Sequence, residues 1–209
     1  MPLIVFEGID GCGKTTQVQS FKEELGDRPG VMFLREPGTT AVGERQREML
    51  LDPRVPMHDK AILLGFLQAW VQLEEDILKP ALAEGKLVLL DRYYYSTLVY
   101  QGSKDNGLTR ELVDALSFRK PDLTLLLDIS PGMSLERRGR RGEEADRLEA
   151  EDIQEVSNLR LAYLSLACQC PEIAVVDSMG DPEETHNRIW ALNKFSNIVE
   201  SHHMSYRGE

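Results

Sequence analysis

Residues 6–16 read FEGIDGCGKTT and follow directly on the short apolar run LIVF. The pattern Gly8-x-x-x-x-Gly13-Lys14-Thr15 stands between a predicted strand and a predicted helix, which is the setting of a phosphate-binding loop. In such a loop backbone N–H groups surround a polyphosphate, the lysine neutralises it, and the threonine hydroxyl can hold Mg²⁺. The stretch therefore predicts an α/β fold with a nucleoside triphosphate site after its first strand. The predicted residues of this loop are Gly8, Gly11, Cys12, Gly13, Lys14, Thr15 and Thr16.

Short β-rich runs alternate with longer helical patterns along the rest of the chain. Nearly continuous apolar runs, typical of parallel strands covered on both faces, begin at Leu3, Val31, Leu87, Leu123 and Ile173. Helices are predicted over residues 14–25, 42–51, 59–83, 112–118, 134–138, 151–170 and 183–199. This βαβ series predicts a single P-loop NTPase domain with a parallel five-stranded sheet flanked by helices. We expect that domain over residues 1–200 and a frayed polar tail over 201–209.

The composition limits the class of protein. The chain has 209 residues, 42% of them hydrophobic, which is enough for one sizeable core. Its formal net charge of −11 argues against a groove for DNA or RNA and favours small-molecule partners. No apolar run approaches the roughly 20 residues of a membrane span, so we expect a cytoplasmic protein without a membrane partner. Three cysteines, at 12, 168 and 170, follow no disulfide or zinc pattern and are interpreted as reduced thiols.

Charged residues follow two of the predicted strands. Asp91 and Arg92 end the third strand, where a carboxylate can orient Mg²⁺ or its waters and an arginine can hold a second phosphate. The alternative for Asp91 is a helix N-cap. The second strand ends in Arg35-Glu36-Pro37-Gly38, which places charge and a rigid turn at the same sheet edge. The alternative for that tetrapeptide is a structural turn with a solvated charge pair.

An arginine cluster near residues 136–148 is the third charged feature. Its glycines and guanidinium groups are typical of a mobile lid that closes over phosphates and stabilises the transferring group. The alternative is an exposed basic loop balanced by neighbouring acidic residues. The arginines are Arg137, Arg138, Arg140, Arg141 and Arg147, and the acidic residues are Glu143, Glu144 and Asp146.

Five segments together resemble, in order and spacing, the thymidylate kinases of the P-loop nucleoside monophosphate kinase superfamily. They are FEGIDGCGKTTQ, LREPGTT, DRYYYSTLVYQG, PDLTLLLD and RRGRRGEEADRLE, and the resemblance extends to about Val199. Gly11 stands where the eukaryotic branch has a P-loop arginine, so the chain is similar to the bacterial type with lid arginines. The resemblance implies phosphoryl transfer from ATP, with Mg²⁺, to a deoxynucleoside monophosphate, foremost dTMP to dTDP, by a homodimer.

The resemblance also implies roles for individual residues. Asp10 would lie near the deoxyribose 3′-hydroxyl. Arg141 would be the transition-state arginine, with Arg137 and Arg147 as the alternatives. The implied catalytic residues are Lys14, Asp10, Asp91, Arg92 and Arg141, with Thr15 and Asp91 at the metal. Arg137 and Arg147 join the loop residues at ATP. The implied acceptor-binding residues are Asp10, Arg35, Glu36, Pro37, Arg47, Phe66, Trp70, Arg92, Ser96, Thr97, Tyr100 and Gln101.

The base of the acceptor would lie against the helix that begins near residue 59. Phe66 matches an aromatic that stacks on thymine, Thr97 and Gln101 match polar base-edge positions, and Tyr100 matches a tyrosine that crowds out a ribose 2′-hydroxyl. Ordinary helix packing is the alternative for each of these side chains.

Two residues depart from the family pattern. Trp70 occupies the place of an arginine that donates to thymine O4, and Thr39 occupies the place of a glycine. Trp offers one N–H donor and a flat face, so we expect weaker binding of dTMP or a preference for a base with different groups at positions 4 or 5. Thr39 would tighten the turn or narrow the acceptor cleft. Three hypotheses follow: a thymidylate kinase, a kinase of the same fold for another or modified deoxynucleotide, and a non-catalytic nucleotide-binding regulatory protein.

Overall fold

A parallel sheet of five strands lies at the centre of the protein. The computed structural model describes residues 2–102, 105, 107–141, 146–148 and 152–207, and for residues 141, 206 and 207 the backbone alone. The strands are β1 (Leu3–Glu7), β2 (Val31–Arg35), β3 (Leu87–Asp91), β4 (Leu123–Asp128) and β5 (Ile173–Asp177). Their order is β2-β3-β1-β4-β5, and each neighbouring pair is parallel. The predicted fold class is confirmed.

Helices connect these strands and cover the sheet. They are α1 (Lys14–Leu25), α2 (Ala41–Leu51), α3 (Asp59–Leu73), a π-helical stretch (Glu74–Leu78), α4 (Lys79–Ala83), α5 (Tyr94–Tyr100), α6 (Leu108–Leu116), α7 (Pro131–Arg141), α8 (Ile153–Gln169), α9 (Pro182–Trp190) and α10 (Asn193–Arg207). Side-chain caps fix several starts: Thr40, Asp152 and Asp181 accept backbone N–H groups in the first turns of α2, α8 and α9.

Register places the functional ends of three strands side by side. Phe6 of β1 pairs with Asp91 of β3, and Arg35 of β2 pairs with the same Asp91. Because the carboxyl ends of parallel strands share one sheet edge, the glycine-rich loop, the turn after β2 and Asp91 meet there.

The helix predictions are wrong in several details. Residues 59–83 are not one α-helix but α3, the π-helical stretch and α4, and residues 183–199 divide into α9 and α10. The helix predicted at 112–118 begins at Leu108, and α5 was not predicted. Its sequence, YYSTLVY, is rich in aromatic and β-branched residues, which favour strands. Tertiary contacts decide otherwise, since Glu7 accepts the N–H groups of Tyr93 and Ser96 at the start of α5.

The expectation of a frayed tail is wrong for residues 201–207, which continue α10. His202 is buried, and its Nε2 lies 3.0 Å from the carbonyl oxygen of Gly85, just before β3. Burial lowers the pKa of His202, which favours the neutral ring. A buried hydrogen-bonding side chain thus holds the last helix against the sheet.

The hydrophobic core surrounds the central strands. β1 and β3 are buried along their whole length, whereas β2 and β5 are partly exposed and Val175 retains 47% exposure. The expectation that all strands are covered on both faces therefore fails at the two edges, where each strand has a neighbour on one side only. Among the helices of the described residues, none has the length and apolar character needed to cross a membrane.

Candidate active site

The loop between β1 and α1 has a backbone that needs glycine. Gly8 has φ 140°, and a Cβ atom there would lie 2.5 Å from the carbonyl oxygen of Leu127 in β4. Gly11 and Gly13 also have positive φ, at 79° and 95°. Such angles are costly for side chains with a Cβ atom. The loop can therefore turn this tightly against β4 only with glycine at these positions.

Lys14 lies with its ammonium group inside the curve of this loop. Its Nζ donates to the carbonyl oxygens of Gly8 at 2.8 Å and Ile9 at 3.0 Å. The thiol of Cys12 is buried and lies 3.5 Å from the same Nζ, as a small side chain that fills the loop interior. The ammonium is held where a phosphate bound to the loop N–H groups would meet it.

Thr15 and Asp91 form a polar pair beside the loop. The Thr15 hydroxyl donates to Asp91 Oδ2 at 3.0 Å. Asp91 is the last residue of β3 and not the N-cap of α5, which is Tyr93, so the capping alternative fails. A hydroxyl and a carboxylate are the hard oxygen ligands that Mg²⁺ prefers. Among the described residues no cluster of three or more His, Cys, Asp or Glu could hold a metal, so this pair would share the ion with phosphate and water oxygens.

A cavity of about 220 Å³ opens next to the loop at the same sheet edge. We call it the arginine cleft, because three arginines line it. The cleft brings together every predicted acceptor-binding residue except Trp70: Asp10, Arg35, Glu36, Pro37, Arg47, Phe66, Arg92, Ser96, Thr97, Tyr100 and Gln101.

Arg92 is held by several partners in a strained backbone conformation. Its φ is 69°, a region that non-glycine residues rarely adopt and that often marks a functional position. Its guanidinium pairs with Asp10 and donates to Ser96 Oγ at 3.1 Å, while the Tyr100 hydroxyl donates to Asp10 at 2.8 Å. Burial opposes both charges, but their mutual attraction prevails: it raises the pKa of Arg92 and lowers the pKa of Asp10. Both groups are therefore charged and fixed in the wall of the cleft.

Arg35 and Arg47 add positive charge to the cleft. Arg47 donates to the carbonyl oxygen of Pro37 at 3.1 Å, and Arg35 pairs with Glu44 at 3.2 Å. Burial and then the nearby Arg35 lower the pKa of Arg47, so an anion placed between these guanidinium groups would relieve an unfavourable arrangement.

Glu36 lines the cleft with an almost fully buried side chain. Its Oε2 accepts the N–H of Gly38 at 3.1 Å. Burial raises the pKa of Glu36 to about 9, although the Gly38 N–H opposes the shift. The carboxyl group is therefore neutral near pH 7, and the alternative of a solvated charge pair with Arg35 fails.

Trp70 is buried beside the arginine cleft and does not line it. The side chain is 1% exposed, lies behind the cleft and packs edge-on against Tyr93 with ring centres 5.3 Å apart. Its indole N–H donates to the hydroxyl of Thr97 at 3.0 Å. Trp70, predicted to bind the acceptor, therefore does not line the cleft in this structure and is linked to it through the hydroxyl of Thr97.

Thr39 tightens the turn after β2. Its φ is 64°, where glycine would be unstrained. The hydroxyl compensates, because it accepts the backbone N–H of Arg35 at 3.0 Å and donates to the Arg35 carbonyl oxygen at 2.8 Å. Thr39 does not line the arginine cleft, so the alternative of a narrowed cleft is not met.

The predicted lid arginines lie in different places. Arg137 donates to the Gly180 carbonyl oxygen at 2.8 Å and lines a second cavity, of about 270 Å³, together with Thr16 and Gly11 of the loop. The side chain of Arg141 lies outside the described residues, as do Glu143 and Glu144. Arg138 was predicted only as part of the cluster, yet its side chain lies beside Gly11 and lowers the pKa of Asp10.

Arg147, predicted to bind ATP, lies away from the loop. It donates to the carbonyl oxygens of Leu50, at 3.0 Å, and of Asp52 and Val55. The last carbonyl groups of a helix lack intrahelical partners and attract a guanidinium group. The end of α2 therefore holds Arg147 in a structural contact, near the arginine cleft instead of the nucleotide loop.

Glu7 and Tyr163 support Arg92 from inside the fold and were not predicted from the sequence. Glu7, buried at the end of β1, accepts the Ser96 hydroxyl at 2.7 Å and the Tyr163 hydroxyl at 2.9 Å. Burial raises the pKa of Glu7 against the opposing charge of Arg92. Through Ser96, this carboxyl group positions Arg92. A glutamate inside the apolar run LIVFE was the available signal, whereas Tyr163, on α8, gave none.

The chain is similar to known proteins over most of its length. A family model described as Thymidylate kinase matches residues 6–189. A thymidylate kinase of Caldanaerobacter subterraneus subsp. tengcongensis is 39% identical over 193 residues, 89% of this chain and 91% of that protein. One of Shewanella sp. strain MR-4 is 39% identical over 198 residues, 90% of this chain and 93% of its own. The crystal structure of thymidylate kinase from Ehrlichia chaffeensis superposes with a TM-score of 0.69 at 25% identity, covering 99% of this chain and 97% of that one. The chain belongs to the thymidylate kinase family.

Proposed function

We propose that this protein is a thymidylate kinase, which transfers the γ-phosphoryl group of ATP to dTMP and releases ADP and dTDP. The observation that carries the proposal is that a phosphate-binding loop and an arginine-lined cleft meet at one sheet edge. A kinase that joins two phosphorylated nucleotides needs two neighbouring anion sites of this kind.

The reaction joins the two sites through a single displacement. An oxygen of the dTMP phosphate forms a bond to the γ-phosphorus, and the bond from that phosphorus to the β,γ-bridging oxygen breaks, which leaves ADP. The loop N–H groups and Lys14 would hold the donor phosphates, and Arg35, Arg47 and Arg92 would hold the acceptor phosphate. The protein contributes positioning and positive charge, and no side chain forms a covalent bond with the phosphoryl group.

Thr15 and Asp91 suit the metal that such a reaction uses. Their hydroxyl and carboxylate oxygens, 3.0 Å apart, would hold Mg²⁺ directly or through water. Mg²⁺, when bound, neutralises charge on the donor phosphates. Asp10, charged and fixed by Arg92 and Tyr100, would accept a hydrogen bond from the acceptor's 3′-hydroxyl, as the family resemblance implies.

The lid arginines would complete the donor site. Arg137 already lies in the second cavity with Thr16, which suits contact with the nucleotide of ATP. Arg141 follows on the same helix, and we retain it as the proposed transition-state arginine. Arg138 joins the proposal because it lies beside the loop at Gly11.

The two other hypotheses have less support. The case for a different acceptor base rested on Trp70 facing that base, and Trp70 is buried behind the cleft. A non-catalytic protein would have no need to keep Lys14, Thr15, Asp91 and Arg92 assembled at one edge. A thymidylate kinase therefore remains the function that the geometry favours.

The test is ADP release from ATP and Mg²⁺ with dTMP, dUMP, dCMP, dGMP, dAMP and the ribonucleotides. We expect the highest kcat/KM with dTMP. Lys14→Ala should lower kcat about a hundredfold or more, because a charge that stabilises the transferring group is lost. Lys22→Ala, on the exposed face of the same helix, should keep full activity. Retained turnover in folded Lys14→Ala protein would refute the loop assignment.

We also propose that the protein forms a homodimer, as the family resemblance implies. The support is an apolar face on neighbouring helices: Leu64 and Val71 of α3 are 57% and 38% exposed, and Met49 of α2 is 39% exposed. Leu64 and Val71 lie seven residues apart, so they share one side of α3.

Leu64→Glu should convert the protein to a monomer in light scattering, because a carboxylate cannot be buried unpaired in an apolar interface. Leu161→Glu is the matched control, since Leu161 of α8 is 61% exposed and lies outside this face. A monomeric wild-type protein at micromolar concentration would contradict the proposal.

A further inference from the structure

The hydroxyl of Thr97 is buried at the wall of the arginine cleft and has one fixed partner. The indole N–H of Trp70 is 3.0 Å from Thr97 Oγ1. An indole nitrogen can only donate, so Thr97 must accept in this bond, and its own hydrogen must point elsewhere. Within the part of the chain that the structure describes, that hydrogen is donated to no other protein group. A buried donor without an acceptor is unfavourable, so the arrangement favours an acceptor atom on a ligand in the cleft.

The neighbours of Thr97 show which part of a nucleotide would supply that atom. Phe66 lies one helical turn before Trp70 on α3, and Gln101 lies one turn after Thr97. An aromatic face with polar groups beside it suits a base, whereas the arginines of the β2 turn and Arg92 suit a phosphate. The Thr97 hydroxyl therefore faces the edge of the base.

Gln101 cannot discriminate between bases as Thr97 can. A glutamine amide can rotate by a half turn and present either its oxygen or its NH₂ group. Trp70 occupies one of the two lone pairs of the Thr97 hydroxyl, so the hydrogen of Thr97 must point away from the indole and needs an acceptor of its own. A carbonyl oxygen on the base would accept that hydrogen, whereas an amino group could only donate to the remaining lone pair and would leave the buried Thr97 hydrogen without an acceptor.

We propose that Trp70 is a positioning residue for base specificity, which fixes Thr97 as a hydrogen-bond donor and so selects a pyrimidine with a carbonyl oxygen at this edge over one with an amino group. This inference rests on the proposed function, because it assumes that a deoxynucleoside monophosphate lies in the arginine cleft. It also gives Trp70 a role that needs no contact with the base.

The experiment measures the dissociation constants of dTMP and dCMP by calorimetry. Thymine has a carbonyl oxygen at position 4 of the base, where cytosine has an amino group. We expect the wild-type protein to prefer dTMP. Trp70→Phe keeps an aromatic ring without the N–H and should reduce that preference about threefold to tenfold, the scale of one hydrogen bond. Thr97→Val should cause a similar loss, and Thr97→Ser should retain the preference.

A double-variant cycle separates this role from packing. If Trp70 acts through Thr97, then Trp70→Phe added to Thr97→Val causes no further loss of the dTMP preference. Should Trp70→Phe fail to fold, benzothienylalanine at position 70 keeps the ring shape and replaces the N–H with sulfur. ATP binding and Tm report whether each variant is intact.

Turnover measured in parallel distinguishes the failure of this inference from the failure of the proposed function. Phosphorylation of dTMP with a preference that does not depend on Trp70 overturns the inference and leaves the function standing. A Trp70-dependent preference in binding without phosphorylation supports the inference and overturns the function. Binding of neither monophosphate, or equal binding of both, overturns the inference.

Discussion

Arg92 shows how much local structure one functional side chain requires. Its backbone is strained at φ 69°, and its guanidinium is shared among Asp10, Ser96 and the Gly8 carbonyl oxygen. Glu7 accepts the hydroxyl hydrogen of Ser96, which orients the Ser96 oxygen toward Arg92. The result is a fixed positive charge that needs little reorganisation when an acceptor phosphate arrives.

Ser96→Ala should loosen Arg92 without removing it. The variant loses the Ser96 Oγ that accepts from Arg92 at 3.1 Å. We expect KM for dTMP to rise about fivefold, the scale of one hydrogen bond, while KM for ATP stays unchanged. Steady-state kinetics with each substrate varied provides the measurement. Ser165→Ala, on the exposed side of α8, is the control, and an equal rise in both KM values would contradict a role specific to Arg92.

At this scale the sequence predicts residues whose roles are local. The loop residues act within one strand–loop–helix unit, so spacing alone places them. Trp70 and Arg147 depend on contacts between distant segments, Trp70 with α5 and Arg147 with the end of α2. No pattern near either residue carries the information about these contacts.

Among the elements, strands were easier to predict than helices. Each strand is a short apolar run between polar segments, and all five were located. Helix α5 was not predicted because its aromatic residues favour strands. It forms where Glu7 accepts the backbone N–H groups of Tyr93 and Ser96 at the start of the helix. The long helix predicted over 59–83 continues in π-helical form at Glu74–Leu78. The first residue of this stretch, Glu74, is buried and accepts the Tyr93 hydroxyl at 2.8 Å.

Helix α10 depends on a polar contact at its buried face. His202→Ala should remove the hydrogen bond with Gly85 and leave a small void, lowering the free energy of unfolding by about 1–2 kcal/mol. Urea denaturation monitored by circular dichroism measures the change. His203→Ala, one residue further on, should alter it little. Equal effects of the two variants would show that His202 does not anchor the helix.

The whole molecule combines a neutral carboxyl group with a strongly acidic chain. Glu36 lies buried at the arginine cleft with its pKa raised from 4.5 to about 9. A raised pKa means that the folded state binds the proton more tightly than the unfolded state does. The contribution of protonated Glu36 to the stability of the folded protein is therefore fully present below about pH 4.5. It is lost progressively as the pH rises to about 9.

Glu36→Gln should remove this pH dependence, because the amide keeps the shape and the acceptor for the Gly38 N–H without an ionisable proton. We expect Tm to rise by about 4 °C or more at pH 8, with little change at pH 4.5. Differential scanning calorimetry across this range provides the test. A Tm difference that is constant with pH would show that Glu36 is ionised in the folded protein.

The neutral state of Glu36 also affects how the protein behaves in an electric field. The formal net charge of −11 counts Glu36 as ionised, whereas near pH 7 this residue is neutral in the folded chain and contributes no negative charge. Exchanging Glu36 for glutamine changes the formal net charge of the sequence but not the charge of the native molecule near pH 7. Native electrophoresis would therefore record the two proteins at one position, and denaturing isoelectric focusing would separate them.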